Sequence, residues 1–414
     1  MARSNIIDFL VGDIDFLKQK KSIIKNREVL SEDFVPERIL FREEQLNITL
    51  TSIRRFLIFG EGLNILFFGN TGTGKTLLAR YISKSIKKLN LKEKMNIKTS
   101  YVNCKGFFIK EADYYIIGKM YSDITGDRFR KGKKKYEMFE SIINYMNSKD
   151  YKAIIFLDEF DSLFNKKNTE DLLYALIRDL DIEYSNRFSL VMITNSVSFF
   201  DELDSRIKSS FSSFVKVNFP SYKATDLSEI LKERAYLALE EGSISESLIN
   251  YISARVAKHH SGDARVAINV LKLSALIADS KGKNKIEKED IDEAFENLDY
   301  DLLKFIVSSL NTTQKILSLA LVEGSLRKKD EYISFEELYN MYVEISSRLS
   351  IAPLKRITVF RNMCNLEMIF GSFLEVRTVS EGRRGGYKKI YKLLIDEESM
   401  KKLYDLLRDK IFNA

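Results

Sequence analysis

Tryptophan is absent from the 414 residues, proline occurs three times, and cysteine and histidine occur twice each. With only 18 glycines beside the 3 prolines, a collagen-like, low-complexity or disordered chain is excluded. Cys104 and Cys364 permit one disulfide at most. His259 and His260 are the only histidines, so a zinc site of thiolate and imidazole would consume nearly all of these groups. A reduced intracellular protein is expected. Long apolar runs are missing too: none approaches the ~18 residues of a membrane span, and Asp8, Asp13 and Asp15 interrupt the apolar residues where a signal peptide would carry its core. The reading is a soluble chain without a membrane partner.

What is present suits folded domains. Hydrophobic residues make up 45% and aromatics 12%, and at roughly 150 residues per domain the length allows about three domains. Lys and Arg total 66 against 59 acids, a net charge of +7, which permits a polyanionic partner without demanding one. Residues 1–34 read as a polar arm, and Val35 to Gly60 as a helical region with Leu46, Leu50, Ile53 and Leu57 at helical spacing. Short apolar runs at Ile65–Phe68, Thr99–Asn103, Ala153–Leu157 and Ser189–Thr194 alternate with helical segments, the pattern of a parallel sheet covered by helices. After Pro220 the strand signal stops. Ala224–Glu241, Ser245–His259, Asp263–Asp279 and Glu287–Asn297 read as successive amphipathic helices, with Lys281–Lys285 a solvated turn. From Asp301 come further helices and then two strands, Phe373–Val379 and Lys389–Leu394, around a glycine-rich turn: a winged helix-turn-helix.

Gly69-Asn70-Thr71-Gly72-Thr73-Gly74-Lys75-Thr76 matches GxxxxGK[ST] between a strand and the helix that begins at Leu77. Its glycines let backbone amides turn inward around phosphate, Lys75 neutralises the outer phosphates, and the Thr76 hydroxyl ligates Mg²⁺. The strand Ala153–Leu157 ends in Asp158 and Glu159, one acid suited to the hydration shell of the metal and the next to polarising water for attack on the γ-phosphate. A further buried strand ends in Asn195. By itself such an Asn is a turn residue, and Arg206 and Arg265 alone are surface charges.

In this order the motifs resemble those of the AAA+ ATPases. The closer resemblance is to the replication initiators of archaea and eukaryotes: the origin recognition complex large subunit and its cell-division-cycle relative. Phe34-Val35-Pro36-Glu37-Arg38-Ile39-Leu40-Phe41-Arg42-Glu43 is similar to that family's leading segment, which walls the adenine. Leu203–Phe211 resembles its arginine-finger box, Asn218–Tyr222 its sheet-to-lid junction, and Gly262–Arg265 its second sensor. The resemblance implies ATP or ADP and Mg²⁺ as cofactors. It makes Val35, Arg38, Ile39, Asn70–Leu77, Tyr222 and Arg265 nucleotide-binding residues, Thr76 and Asp158 metal ligands, and Glu159, Asn195, Arg206 and Arg265 the catalytic set. Arg206 would act on a neighbouring subunit's nucleotide. Phe41 departs from the family, which often has His there. The fold implied is a parallel-sheet α/β ATPase core (1–223), a helical lid (224–298) and a C-terminal winged helix (299–414).

For DNA, a helix over Pro353–Glu367 with Leu354, Ile357, Phe360 and Cys364 facing inward leaves Lys355, Arg356, Thr358, Arg361 and Asn362 outside, as a recognition helix requires. The turn bearing Arg383, Arg384, Tyr387 and Lys388 suits a wing. Residues 353–392 hold nine basic residues against three acids, so most of the net charge falls there. The basic loop Arg128–Lys135, including Arg128 and Arg130, follows a helix over Ala112–Thr125 where the family carries an initiator-specific insert that touches DNA. Equally, it reads as a solvated loop.

The function implied is an ATP-dependent initiator that binds double-stranded origin DNA, helps recruit or load the replicative minichromosome maintenance helicase, and uses hydrolysis as a slow conformational switch. Paralogous initiator subunits are possible partners. The alternatives are another DNA-acting AAA+ ATPase, clamp-loader-like or motor, and a nucleotide-bound winged-helix repressor. The Lys- and Ile-rich composition points to an archaeal source, hence a cytoplasmic, nucleoid-associated protein, or a nuclear one in a eukaryote.

Overall fold

The computed structural model describes residues 22–61, 64–93, 96–105, 112–163, 186–195, 208–209, 211–328, 331–380, 387–395 and 397–412. The chain divides into two compact units. One comprises Ile24–Glu241 and Ser245–Asn269, and the other Met1–Ile23, Gly242–Ile244 and Val270–Ala414.

The first unit is built on a five-stranded sheet of β1 (Ile65–Phe68), β2 (Ile97–Asn103), β3 (Lys152–Asp158), β4 (Phe188–Thr194) and β5 (Val215–Asn218), in the order β2-β3-β4-β1-β5. All pairs are parallel, and the inner strands β1, β3 and β4 are buried and mainly apolar on both sides, as a sheet covered on both faces needs. Ile65, Phe67, Ile154, Phe156, Val191 and Ile193 face one way, packing with Ile53 and Phe56 of α1 (Glu43–Phe59) and Leu78, Ile82 and Ile86 of α2 (Lys75–Glu93). Leu66, Ile155, Leu157, Leu190 and Met192 face the other way, against α3 (Ala112–Thr125) and α4 (Lys135–Ser148). Each register step flips the side chain, so these alternating sets fix the sheet between two helical layers.

The four anticipated strands form within two residues of their expected ends. β5 was not anticipated, and it exists because Val215 and Val217 pair along the open edge of β1. The helical region expected over Val35–Gly60 is helical only from Glu43, and the preceding residues are irregular. Helices α5 (Ala224–Ala238), α6 (Glu246–His259) and α7 (Ala264–Ser280) follow, with the boundary between the units falling inside α7.

The second unit continues through α8 (Lys288–Ser309), α9 (Thr312–Lys328), α10 (Phe335–Arg348), α11 (Arg356–Phe370) and α12 (Glu397–Phe412). An antiparallel sheet of β6 (Ile333–Ser334), β7 (Leu374–Ser380) and β8 (Tyr387–Leu393) completes the winged helix. The Lys281–Lys285 turn is tied down, not merely solvated: Lys281 and Lys283 both bond the fully buried carboxylate of Asp290. Helix α11 also differs from its expected orientation. Val359, Met363, Leu366 and Phe370 are buried, Phe360 and Cys364 are half-buried, and Ile357 is 62% exposed. Apolar residues occupy more than one stripe of this helix, so periodicity alone does not choose which stripe faces the core. Among the described residues no helix is long and apolar enough to cross a membrane.

Candidate functional site

The carboxyl ends of β1, β3 and β4 meet where the strand order reverses, the crevice in which open α/β sheets bind ligands. The loop after β1 turns sharply there. A Cβ on Gly69 (φ +144°) would stand 2.4 Å from the Phe219 carbonyl oxygen, so only glycine fits. Within the loop Lys75 is buried and donates from Nζ to the carbonyls of Gly69 at 2.8 Å and Asn70 at 2.5 Å. Burial first, and then the nearby Arg265 charge, lower its pKa to about 8. Thr76 Oγ1 donates to Asp158 Oδ1 at 3.2 Å, so the two expected metal ligands adjoin.

Glu159 adopts a left-handed backbone (φ 52°), rare for a residue with a side chain and a form of strain that clusters at functional sites. Its Oε1 accepts from Asn195 Nδ2 at 3.4 Å and lies 3.8 Å from Lys105 Nζ. Burial raises the pKa of the neighbouring Asp161, whose carboxylate accepts hydrogen bonds from Thr194 and the Asn195 backbone.

Helix α7 begins against the phosphate loop: the Ala264 amide donates to the Gly72 carbonyl at 3.2 Å. Asp263 caps the helix by accepting from the amides of Arg265 and Val266, which puts Arg265, 46% exposed, at the cavity rim. The cavity measures about 260 Å³. Val35, Arg38, Ile39, Gly72–Leu77, Asp158, Glu159, Asn195, Tyr222 and Arg265 all line it. Asn70 and Thr71 are exposed and do not. Arg206 lies outside the described residues.

Sequence reasoning missed Arg42, Arg80, Tyr101 and Arg234. Arg42 is buried, with its pKa lowered by burial, and it bonds the carbonyls of Phe41, Thr73 and Pro220. Arg234 of α5 donates to the Val29 carbonyl and sits over the Phe34 ring, holding the irregular leading segment along the cavity. No local spacing marks such residues, because their partners are distant in the chain.

The expected DNA residues lie elsewhere. In the second unit Lys355, Arg356 and Arg361 are exposed at and along α11, Thr358 is half-buried, and Tyr387 and Lys388 are exposed at the start of β8. Arg356 pairs with Glu336, and Lys389 pairs with Glu367 at 2.7 Å. Arg383 and Arg384 lie outside the described residues. In the first unit Arg128 and Arg130 are exposed on either side of Phe129, whose ring packs on Tyr114 at 5.3 Å and anchors the basic loop to α3.

Three family matches cover most of the chain. The ATPase family associated with various cellular activities (AAA) matches residues 65–219, the Cdc6 AAA+ ATPase-type lid domain 228–296, and the Cdc6 C-terminal winged helix domain 306–403. An ORC1-type DNA replication protein 1 from Sulfurisphaera tokodaii is 30% identical over 398 residues, covering 96% of each chain. The chain belongs to this family of replication initiators. A second ORC1-type relative, from Methanosarcina acetivorans, is 29% identical over 415 residues and 98% of each chain. Among solved structures, the Aeropyrum pernix ORC1 protein in complex with DNA superimposes with a TM-score of 0.71 and 28% identity, over 95% of this chain and 99% of that one. The Aeropyrum pernix ORC2 protein in its ADPNP-ADP complexes gives a TM-score of 0.68 at 20% identity, over 94% and 99%, a likeness of fold. This ORC1-type initiator is thus an AAA+ ATPase with a C-terminal winged helix.

Proposed function

We propose that this initiator binds ATP or ADP with Mg²⁺ in the cavity at the ends of β1, β3 and β4, and that the winged helix binds double-stranded origin DNA. The observation that carries the reading is the convergence of Gly72–Leu77, Asp158, Glu159, Asn195 and Arg265 on one cavity. Val35, Arg38, Ile39 and Tyr222 flank the base and sugar. Lys75 leaves the carbonyls of Gly69 and Asn70 to meet the β- and γ-phosphates, while Asn195 and Arg265 meet the γ-phosphate. Glu159 accepts the proton of the attacking water, and Asn195, already bonded to it, holds both in line. Arg206 serves the nucleotide of a neighbouring subunit.

The donor set fits a divalent cation. Thr76 Oγ1 and Asp158 Oδ1 are adjacent oxygens, the hard ligands Mg²⁺ prefers, and one hydroxyl with one carboxylate leaves room for phosphate oxygens and water. A cation held by Thr76 and Asp158 would supply neutralisation of phosphate charge. The contact of α7 with the Gly72 carbonyl supports a switch role, since loss of the γ-phosphate removes the partner of Arg265 on that helix. Turnover is then slow. In the DNA-bound state the initiator recruits or loads the minichromosome maintenance helicase, with paralogous initiators as partners, in the cytoplasm on the nucleoid.

DNA binding is supported by the Aeropyrum pernix ORC1 protein, solved in complex with DNA, and by the exposed Lys355, Arg361 and Tyr387. The test is genomic footprinting of wild type and Lys75→Ala. Enrichment of the wild type at replication origins is expected, with nucleotide binding lost and most winged-helix affinity kept in the variant. Enrichment confined to promoters would overturn the reading in favour of a repressor.

A further inference from the structure

Asp158 is 1% exposed, and each of its carboxylate oxygens faces a hydroxyl. Thr76 stands at Oδ1, and the Tyr101 hydroxyl donates to Oδ2 at 2.5 Å. Tyr101 lies on β2 directly beside Phe156 of β3, and the two rings stack at 6.1 Å between centroids. The sheet therefore fixes where the phenol points. Arg80 of α2 places its guanidinium 5.7 Å from the centre of the Tyr101 ring and pairs through Nη1 with Asp33 Oδ1 at 2.5 Å. Asp33 belongs to the leading segment that walls the cavity. A chain of side chains, Asp33–Arg80–Tyr101–Asp158, thus runs from that wall to the carboxylate at Thr76.

A carboxylate that ligates a cation must present one oxygen in a set direction. Donation to Oδ2 fixes rotation about the Cβ–Cγ bond of Asp158 and leaves Oδ1 beside the Thr76 hydroxyl. A phenol carries its proton at neutral pH, so Tyr101 is the donor of this bond and the carboxylate the acceptor. Asp33 has a further effect. Arg80 itself lines the cavity, and a guanidinium free to swing onto Asp158 would compete with a cation for the same oxygens. Its pairing with Asp33 holds it on the Tyr101 side.

We propose that Tyr101 is a positioning residue for the metal-binding carboxylate of Asp158, held in place by the Asp33–Arg80 pair. Contact of a nucleotide with the leading segment thereby alters affinity for the divalent cation at Asp158. The proposal rests on the reading of Asp158 as the metal carboxylate.

The experiment measures binding of a fluorescent ADP to the full chain while Mg²⁺ is titrated in, with a parallel measurement in EDTA. Tyr101→Phe, which keeps the ring, should raise the Mg²⁺ concentration for half-maximal effect about tenfold, in the range for removing a partner behind a metal ligand. Its affinity in EDTA should be unchanged. Asp33→Asn, at a side chain 82% exposed, should act in the same direction by less, and the double variant should be no worse than Tyr101→Phe alone. An unchanged Mg²⁺ requirement, an equal loss in EDTA, or full additivity of the two substitutions would overturn the proposal. Asp158→Asn separates the two readings: if Mg²⁺ dependence survives in it, the assignment of Asp158 fails and not only the role of Tyr101.

Discussion

Arg42 donates from Nε to the Thr73 carbonyl at 2.9 Å, and its guanidinium lies over the Tyr222 ring at 3.8 Å. The same side chain reaches the Phe41 and Pro220 carbonyls at 2.7 Å each, so one buried cation ties the leading segment, the phosphate loop and the segment after β5 together. Arg42→Met should leave the Thr73 and Pro220 carbonyls without these donors, at about 1–3 kcal/mol for the buried Thr73 group and less for Pro220, which water can reach. Thermal unfolding should shift down and ADP affinity should fall. Arg42→Lys should recover little, because an ammonium has neither the planar fork nor the stacking face. Wild-type behaviour of the lysine variant in both measurements would rule out the fork as the cause.

Gly74 meets the same tyrosine from the loop side. A Cβ there would lie 2.6 Å from the Tyr222 hydroxyl, and its φ of +88° is one that side chains rarely adopt. Gly74→Ala should therefore weaken nucleotide binding by about five- to thirtyfold, the factor to which 1–2 kcal/mol of backbone cost alone corresponds. Adding Tyr222→Phe removes the hydroxyl but not the backbone strain, and should not restore affinity. Calorimetric titration of both variants with ADP checks this, and full rescue by the second substitution would show that the clash alone matters.

These two glycine and arginine relationships differ in how they could be read from the chain. The phosphate loop is legible because its glycines, Lys75 and Thr76 act within eight consecutive residues, and β1, β3 and β4 are legible because burial on both faces demands unbroken apolar runs. Arg42 has no such signature: its partners Thr73 and Pro220 are 31 and 178 residues away. Tyr101 and Asp158 are 57 residues apart and meet only because β2 pairs with β3. β5 escaped notice since Lys216 interrupts its two valines. In α11 two apolar stripes compete, and the packing of Val359, Met363, Leu366 and Phe370 decides between them.

Asp290 gives a prediction for stability. Burial would raise its pKa, but Lys283, the Glu287 amide and Lys281 together outweigh that and hold it below the usual carboxylate range. A group depressed in the folded state stabilises above its unfolded pKa, near 3.9, and the contribution is lost as pH falls through the folded value. Asp290→Asn should therefore cost about 1 kcal/mol at pH 7, the lysine partners being screened by solvent. The difference from wild type should shrink below about pH 4. Denaturant unfolding at pH 7 and at pH 3 to 4 measures it, and a pH-independent difference would assign the effect to the lost helix cap instead.

If α11 meets DNA as proposed, its basic residues are not equivalent, and salt dependence should separate them. Arg361 and Lys355 are exposed and have no ion-pair partner among the described residues, whereas Arg356 is already paired with Glu336. A cation that neutralises a phosphate releases counterions, so Arg361→Ala and Lys355→Ala should each reduce the slope of log affinity against log salt by about 1. Arg356 must leave Glu336 to reach a phosphate, and it leaves a carboxylate close to the DNA when it does. Arg356→Ala should change the slope by less, while Glu336→Gln should raise affinity at every salt concentration. DNA titrations at several salt concentrations test this ordering. Equal slopes for the Arg356 and Arg361 variants would mean that the Glu336 pair does not persist in solution, and no change in any of them would move the DNA contact off this helix.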